Sequence, residues 1–302
     1  MSPKESTEVR VEVDGRTLKL SNLDKVLYPR TGTTKGEVLN YYAQVSPAML
    51  PLLANRCATR VRWPNGVEKQ SFFEKNIPGG TPSWVRTAEV PTTGSRAPSK
   101  NGDVLVFPVV DDLATLTWLA NLAALELHVH QLTVTKGGKG PSKILGANRL
   151  VIDLDPGDGA GLHECCQVAL IVRERLAERN LETEAVTSGS KGLHLYAALQ
   201  RRKDPDDSTA LAKEVAEDLA KEHSRLVTAT MTKSKRSGKV FLDWSQNAGS
   251  KTTLSPYSLR GRELPTVATP VTWDEVEAGA EDPLGLEQFR FEEVLDRLAD
   301  GR

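Results

Sequence analysis

Apolar residues follow two periods along this chain, and the switches between them mark its elements. Alternation over residues 9–13 followed by Asp14-Gly15 predicts a short strand and a turn. A helix is expected after Thr33-Thr34: Thr34 and Glu37 have capping-box spacing, and Val38, Tyr41, Tyr42, Val45 and Met49 form a stripe of period 3.6. Pro47 and Pro51 are expected to kink or end it. Residues 58–63 and 71–74 read as strands joined by the turn Pro64-Asn65-Gly66, and a helix is expected after Asp111-Asp112, through Leu116 and Leu119 to Leu125. The alternating Leu127-His128-Val129-His130 then predicts a strand.

Glycine, lysine and proline crowd residues 136–143, the clearest linker signal in the chain. It divides the sequence into an N-terminal α/β module, residues 1–140, and a second module, residues 141–302. In the second module the pattern predicts a strand at 149–154, a helix at about 162–179, strands at 183–187 and 193–197, and a helix at about 208–223. A hairpin is expected to follow, pairing 226–232 with 240–244 across the basic turn 233–238. Such units predict an α+β fold whose mixed sheet carries helices on one face, of the ferredoxin-like or RNA-recognition-motif type.

At 302 residues and 39% hydrophobic content the chain can build an ordinary globular core. It has neither a run of about 18 apolar residues nor a secretory leader, so no membrane partner and a bacterial cytosolic location are expected. Cys57, Cys165 and Cys166 lack zinc-ligand spacing. The net charge of −1 hides an uneven distribution: residues 231–262 hold seven basic residues against one acid, and residues 274–302 hold ten acids against three arginines. A basic face suited to phosphate, flanked by an acidic tail, follows from that placement.

The chemistry concentrates where an apolar run ends in Asp153-Leu154-Asp155-Pro156-Gly157. Residues i and i+2 of a strand share a face, so the two carboxylates would point into one site, where a hard divalent cation would relieve their repulsion. A third candidate, Asp243, lies in Val240-Phe241-Leu242-Asp243-Trp244. Taken alone, the aspartate pair also suits a turn cap or a D-x-D sugar-nucleotide transferase. A calcium loop fits less well, since its sixth position is Asp158 in place of glycine and Pro156 interrupts it. Downstream, Thr187-Ser188-Gly189-Ser190-Lys191-Gly192-Leu193-His194 is a glycine-rich turn whose N–H groups, hydroxyls and lysine could face a polyphosphate. It would equally serve as an ordinary loop.

The combination is more specific than its parts. Asp-Leu-Asp-Pro-Gly, Ser-Gly-Ser-Lys-Gly-Leu-His, Phe-Leu-Asp-Trp-Ser-Gln-Asn and Tyr257-Ser258-Leu259-Arg260-Gly261-Arg262 occur in that order. The sequence from Leu20 to Arg262 resembles the archaeo-eukaryotic primase superfamily, and within it the bacterial primase-polymerases typified by the polymerase domain of ligase D. The resemblance implies a primase-polymerase fold with an RNA-recognition-like catalytic sheet. It implies Asp153, Asp155 and Asp243 as ligands of a two-ion Mn2+ or Mg2+ site, with nucleoside triphosphates as substrates and ribonucleotides preferred. Ser188, Lys191 and His194 would contact the incoming nucleotide, with His128 near its sugar and Gln246 and Arg260 near its phosphates. Lys25 and Lys35 would bind the 5′-phosphate of a downstream DNA strand. Of Phe72 and Phe73, one ring is expected in the core and the other against a template base. Arg236 matches a residue of a loop near the active site.

Two departures from the ligase-D pattern stand out. Val61 replaces an expected basic residue, and residues 92–103 form a longer polar segment where the family holds two DNA ends together. No K-x-D-G adenylation motif is found, so a separate DNA ligase is the expected partner of a monomeric gap-filling polymerase. Double-strand-break end joining is the alternative. A non-catalytic nucleic-acid-binding module on the same sheet is the rival from another class, for which three metal-competent aspartates would be unnecessary.

Overall fold

The computed structural model describes residues 8–91, 104–135 and 142–301. Residues 136–141 of the linker segment and the whole polar segment 92–103, on which the sequence placed a module boundary and a departure from the family, lie outside the described residues.

Among the described residues, six α-helices pack on two principal sheets. They are α1 (Lys35–Leu53), α2 (Leu113–Asn121), α3 (Leu162–Ala177), α4 (Pro205–Glu222), α5 (Trp273–Glu281) and α6 (Phe291–Ala299). The larger sheet has the order Val227–Thr228, Val240–Asp243, Ile144–Pro156, Leu193–Lys203, Thr183–Thr187, Thr269–Val271, and Leu132–Val134 also pairs with the long Ile144–Pro156 strand. The smaller one runs Thr253–Leu254, Ala124–Val129, Ala58–Arg62, Phe72–Glu74.

Strand alternation explains how the larger sheet divides its two faces. Leu150, Ile152, Leu154, Leu193, Leu195, Val240 and Leu242 enter one core with Cys165, Val168, Val172, Val215 and Leu219 of α3 and α4. The intervening residues, among them Val151 and Tyr196, look the other way and meet Leu254 of the smaller sheet. Helices on one face and a second sheet opposite the other leave a cleft between the sheets, into which Asp153 and His194 fall by alternation.

The C-terminal stretch of the chain returns to the first half. Thr253–Leu254 pairs with Ala124–Val129, and Leu259, Val267 and Val294 join the core built by α1, α2 and the smaller sheet. Tyr41 and Tyr28 of that core donate to the Tyr257 and Arg260 carbonyls, each at 2.8 Å. The 257–260 segment is thereby fixed beside the cleft.

Three local expectations are corrected. Helix α1 keeps its predicted capping box but continues through Pro47 and Pro51. Pro47 cannot bond the Ala43 carbonyl, and the Ser46 hydroxyl donates to it instead at 2.8 Å. The buried stripe Val38, Tyr41, Tyr42, Val45, Met49 and Leu53 then holds the helix in place. Helix α2 stops at Asn121 rather than reaching Leu125: Ala123 adopts a positive φ of 57°, and Leu125 belongs to the following strand. The expected hairpin across 233–238 is absent, because Val227–Thr228 runs parallel to Val240–Asp243. Eleven intervening residues, with a single 3-10 turn at Lys233–Lys235, loop round so that the chain re-enters in the same direction.

Candidate active site between the two sheets

The Ile144–Pro156 strand lies between Val240–Asp243 and Leu193–Lys203, and its register places Asp153 opposite both Asp243 and His194. Asp155 stands two residues along, on the same face. Burial, and then the carboxylates of Asp243 and Asp155, push the Asp153 carboxyl up to about 8. The His194 ring lies 3.5 Å from Asp153. Burial first, and then the charges of Arg260, His128 and Arg149, push it down to about 3, so it is a neutral imidazole at pH 7.

Among the described residues, no three His, Cys, Asp or Glu side chains already converge on a common metal-binding point. One reason is visible at Asp243. Its carboxylate caps the next turn, accepting from the Ser245 N–H at 3.0 Å, the Ser245 hydroxyl at 2.6 Å and the Gln246 amide at 2.9 Å. Even so, the donor set suits a hard divalent cation. All three groups are carboxylates, and the raised pKa of Asp153 marks an excess of negative charge that such an ion would neutralise.

Next to the aspartates, the turn at 188–192 is held by the Ser188 hydroxyl oxygen, which accepts from the N–H groups of Ser190 (3.2 Å) and Gly192 (3.1 Å). Lys191 is exposed at its tip. Gly189 has φ of 66°, and a Cβ there would sit 2.7 Å from Arg260 Cγ and 2.8 Å from the Val267 carbonyl carbon. Gly189→Ala is therefore expected to destabilise the fold by about 1–3 kcal/mol and to displace Arg260. Chemical denaturation would measure the loss, and a variant as stable as the parent would contradict this packing.

The smaller sheet faces the turn with Glu126 and His128, which share a side of the Ala124–Val129 strand. His128 Nε2 lies 2.8 Å from Glu126 Oε2, while Glu126 Oε1 accepts from the Gly261 N–H at 3.1 Å and lies 3.6 Å from Arg260 Nε. Burial raises the Glu126 carboxyl, but the His128, Arg260 and Gly261 contacts outweigh it and hold the pKa below its usual value. Sequence reasoning missed Glu126, although its i, i+2 spacing from His128 is the one that singled out Asp153 and Asp155.

A cleft of about 1580 Å³ gathers ten of the residues singled out in the sequence: Asp153, Asp155, Asp243, His128, Ser188, Lys191, His194, Gln246, Arg260 and Phe73. Lys75, Arg30, Lys251 and Arg262 also line it. Gln246, expected near phosphates, spends its amide on Asp243.

The remaining residues lie around this cleft. Arg236 stacks 3.5 Å over the Phe241 ring and reaches within 3.6 Å of Asp155. Its loop presses on the strand end so closely that a Cβ on Gly157 would strike the Arg236 carbonyl. Phe72 and Phe73 are both exposed, 43% and 60%, which corrects the expectation that one ring enters the core. Their three-residue strand is a sheet edge with a partner on one side only, and the core closes without it.

Lys25 and Lys35 lie apart from the residues lining the cleft, near the start of α1. Lys25 is exposed and donates to Asn65 at 2.9 Å, whereas Lys35 is buried and donates to the Ser21 carbonyl at 2.6 Å. Burial, and then the charge of Lys25, push Lys35 down to about 8. Among the described residues neither amine is paired with a carboxylate, and only Lys25 is exposed to solvent.

Residues 34–302 match the family model for the LigD primase-polymerase domain. The chain is 47% identical over 281 residues to the multifunctional non-homologous end joining protein LigD of Mycolicibacterium smegmatis, covering 93% of this chain and 34% of that protein. It is 49% identical to the multifunctional non-homologous end joining DNA repair protein LigD of Mycobacterium tuberculosis, covering 93% and 35%. The bifunctional non-homologous end joining protein LigD of Bacillus subtilis is 32% identical, with 93% and 42% covered. The chain thus spans about a third of the length of its mycobacterial relatives. Among solved structures, the polymerase domain of Mycobacterium tuberculosis ligase D in complex with DNA superposes with a TM-score of 0.86 at 48% identity, covering 94% of each chain.

Proposed function

The chain belongs to the LigD primase-polymerase family of nucleotidyltransferases, and from that premise we propose that it adds a few nucleotides, copied from a template, to the 3′-OH at a short DNA gap. The far side of that gap bears a 5′-phosphate. The observation that carries this reading is the register of Asp153 against Asp243, with Asp155 on the same face, in a cleft shared with the 188–192 turn. Primer extension on a gapped duplex, with and without the downstream phosphate, tests it. Absence of template-directed addition in either Mn2+ or Mg2+ would refute the catalytic assignment.

In that reading Asp153, Asp155 and Asp243 would hold two divalent ions, Mn2+ or Mg2+, which would supply charge neutralisation at the triphosphate and acidification of the 3′-OH. The residues of the chain do the positioning. Beside the 188–192 turn, Lys191 and Arg260 face the triphosphate, and Arg262 and Lys251 extend the basic wall. His194 stays neutral beside Asp153 and adds no competing cation. Phe73 on the cleft rim offers a ring for a template base. Lys25 and Lys35 take the downstream 5′-phosphate.

End joining is the second reading, favoured by the names of the LigD relatives, and its chemistry at the 3′-OH is the same. Either role implies DNA ends or gaps as partner, with the solved relative in complex with DNA in support. It also implies a ligase to seal the product. The described residues contain no helix long and apolar enough to cross a membrane. A monomer in the bacterial cytosol fits this reading.

Sugar choice follows from His128. His128→Ala is expected to lower kcat/KM for ribonucleotides roughly three- to tenfold more than for deoxyribonucleotides, the worth of one hydrogen bond to the 2′-OH. Ser188→Ala should behave differently, because its hydroxyl oxygen holds the turn, and both sugars should suffer. Steady-state incorporation of matched NTP and dNTP pairs decides, and an equal loss for both in the histidine variant would remove it from the sugar site.

A further inference from the structure

Glu126 is a buried carboxylate behind the cleft wall, in contact with the cleft residues His128 and Arg260, for which the metal, triphosphate and 5′-phosphate assignments have no use. Its two oxygens serve two different readers of the nucleotide. Oε2 meets His128 Nε2, whereas Oε1 takes the Gly261 N–H and faces the Arg260 guanidinium. The backbone at Gly261 cannot drift from this contact, because it lies flat against Trp63, into whose ring a Cβ there would run.

Hydrogen-bond bookkeeping then fixes the histidine. An ionised carboxylate only accepts, so neutral His128 must carry its proton on Nε2 and present a bare Nδ1. Nδ1 has no partner among the described residues, and the ring lines the cleft. Building on the sugar-site reading, we propose that Glu126 is a positioning residue that sets the His128 tautomer, so that Nδ1 accepts a hydrogen bond from the 2′-hydroxyl of the incoming nucleotide. The same carboxylate holds Arg260 at the phosphate side, and sugar and phosphate recognition thereby share one anchor.

Substitution by glutamine makes a sharp prediction. The Gly261 N–H and Arg260 are both donors, so the amide of Glu126→Gln must turn its oxygen to them and its NH2 to His128. His128 would then have to accept at Nε2 and carry its proton on Nδ1. The tautomer inverts while size and shape stay the same.

Nitrogen-15 spectra of histidine-labelled protein, read well above the ordinary imidazole pKa of about 6.5, test this without any substrate. Only five histidines need assigning, and His128→Gln identifies the signal. The Nε2–H form is expected in the wild type and the Nδ1–H form in Glu126→Gln. An Nδ1–H wild type overturns the proposal by itself, even if the variant fails to fold, and so does one tautomer common to both proteins. In kinetics, Glu126→Gln should cut the ribo-over-deoxy ratio of kcat/KM roughly three- to tenfold and change that ratio no further in a His128→Ala background. A purely structural carboxylate would lower both sugars equally in both backgrounds, which refutes the role. If the wild type shows no sugar preference, the sugar-site reading fails, while the tautomer still decides the role of Glu126.

Discussion

Replacing Asp243 by asparagine is expected to lower nucleotide addition by roughly three orders of magnitude or more, equivalent to about 4 kcal/mol of transition-state stabilisation, with DNA affinity little changed. Asparagine is the informative choice because Asp243 has two roles. Its carboxylate caps the turn at Trp244–Asn247, and alanine would remove that cap at a cost of about 1 kcal/mol. Asparagine keeps an oxygen for the Ser245 N–H and removes the charge, and the Gln246 amide can turn its own oxygen to the new NH2. It also relieves Asp153, whose carboxyl is pushed up partly by Asp243, so the variant should fold at least as well. Thermal unfolding with and without Mn2+ supplies a readout independent of turnover. The wild type should be stabilised by the ion through mass action and the variant much less. Near-normal extension, or an undiminished thermal response to Mn2+, would remove Asp243 from the metal site. Asn substitutions at Asp153 and Asp155 should cost about as much, and the losses should not add, because the three act as one unit.

What could be read from the sequence tracks how local its cause is. The capping box at Thr34 and Glu37, and the common face of Asp153 and Asp155, depend on spacings of three and two residues, and both stand in the structure. Between residues 149 and 223 the order and type of the elements followed from periodicity in the same way. By contrast, the parallel run of Val227–Thr228 beside Val240–Asp243 depends on how eleven residues loop back, which no short pattern encodes. Proline inside α1 misleads for a related reason: the rescue of the Ala43 carbonyl by Ser46 and the burial of a five-turn stripe are decided by tertiary packing. Asp243 stood out as a further carboxylate, but only the family resemblance joined it to Asp153, since that pairing links residues 90 apart. Glu126 was missed because its significance comes from Gly261 and Arg260, more than 130 residues away. Sequence alone gave Lys35 no greater weight than any surface lysine, and it is the burial of that amine that separates it from the rest.

That burial leads to the second large effect. Lys25→Ala with Lys35→Ala should abolish any preference for a 5′-phosphorylated gap over a hydroxyl-ended one, a preference expected to be roughly ten- to hundredfold from two charge-assisted hydrogen bonds. Extension of an open primer-template should persist, because the aspartate cleft is untouched. The free protein holds Lys35 at a disadvantage: burial and Lys25 bring its pKa down from 10.5 to about 8. Between those values the unfolded chain binds more protons than the folded one, so stability should rise with pH through that window, and Lys35→Met should flatten the rise. Phosphate affinity should move the opposite way. A doubly charged phosphate favours the protonated amine, so the preference should be full at pH 7 and decline as Lys35 discharges above pH 8, and it should shrink with added salt. Titration of the two gapped duplexes at fixed ionic strength and several pH values decides the matter. A wild-type protein indifferent to the phosphate, or a double variant that keeps the full preference, would leave the two lysines without this role and would place the recognition of the downstream strand elsewhere on the surface.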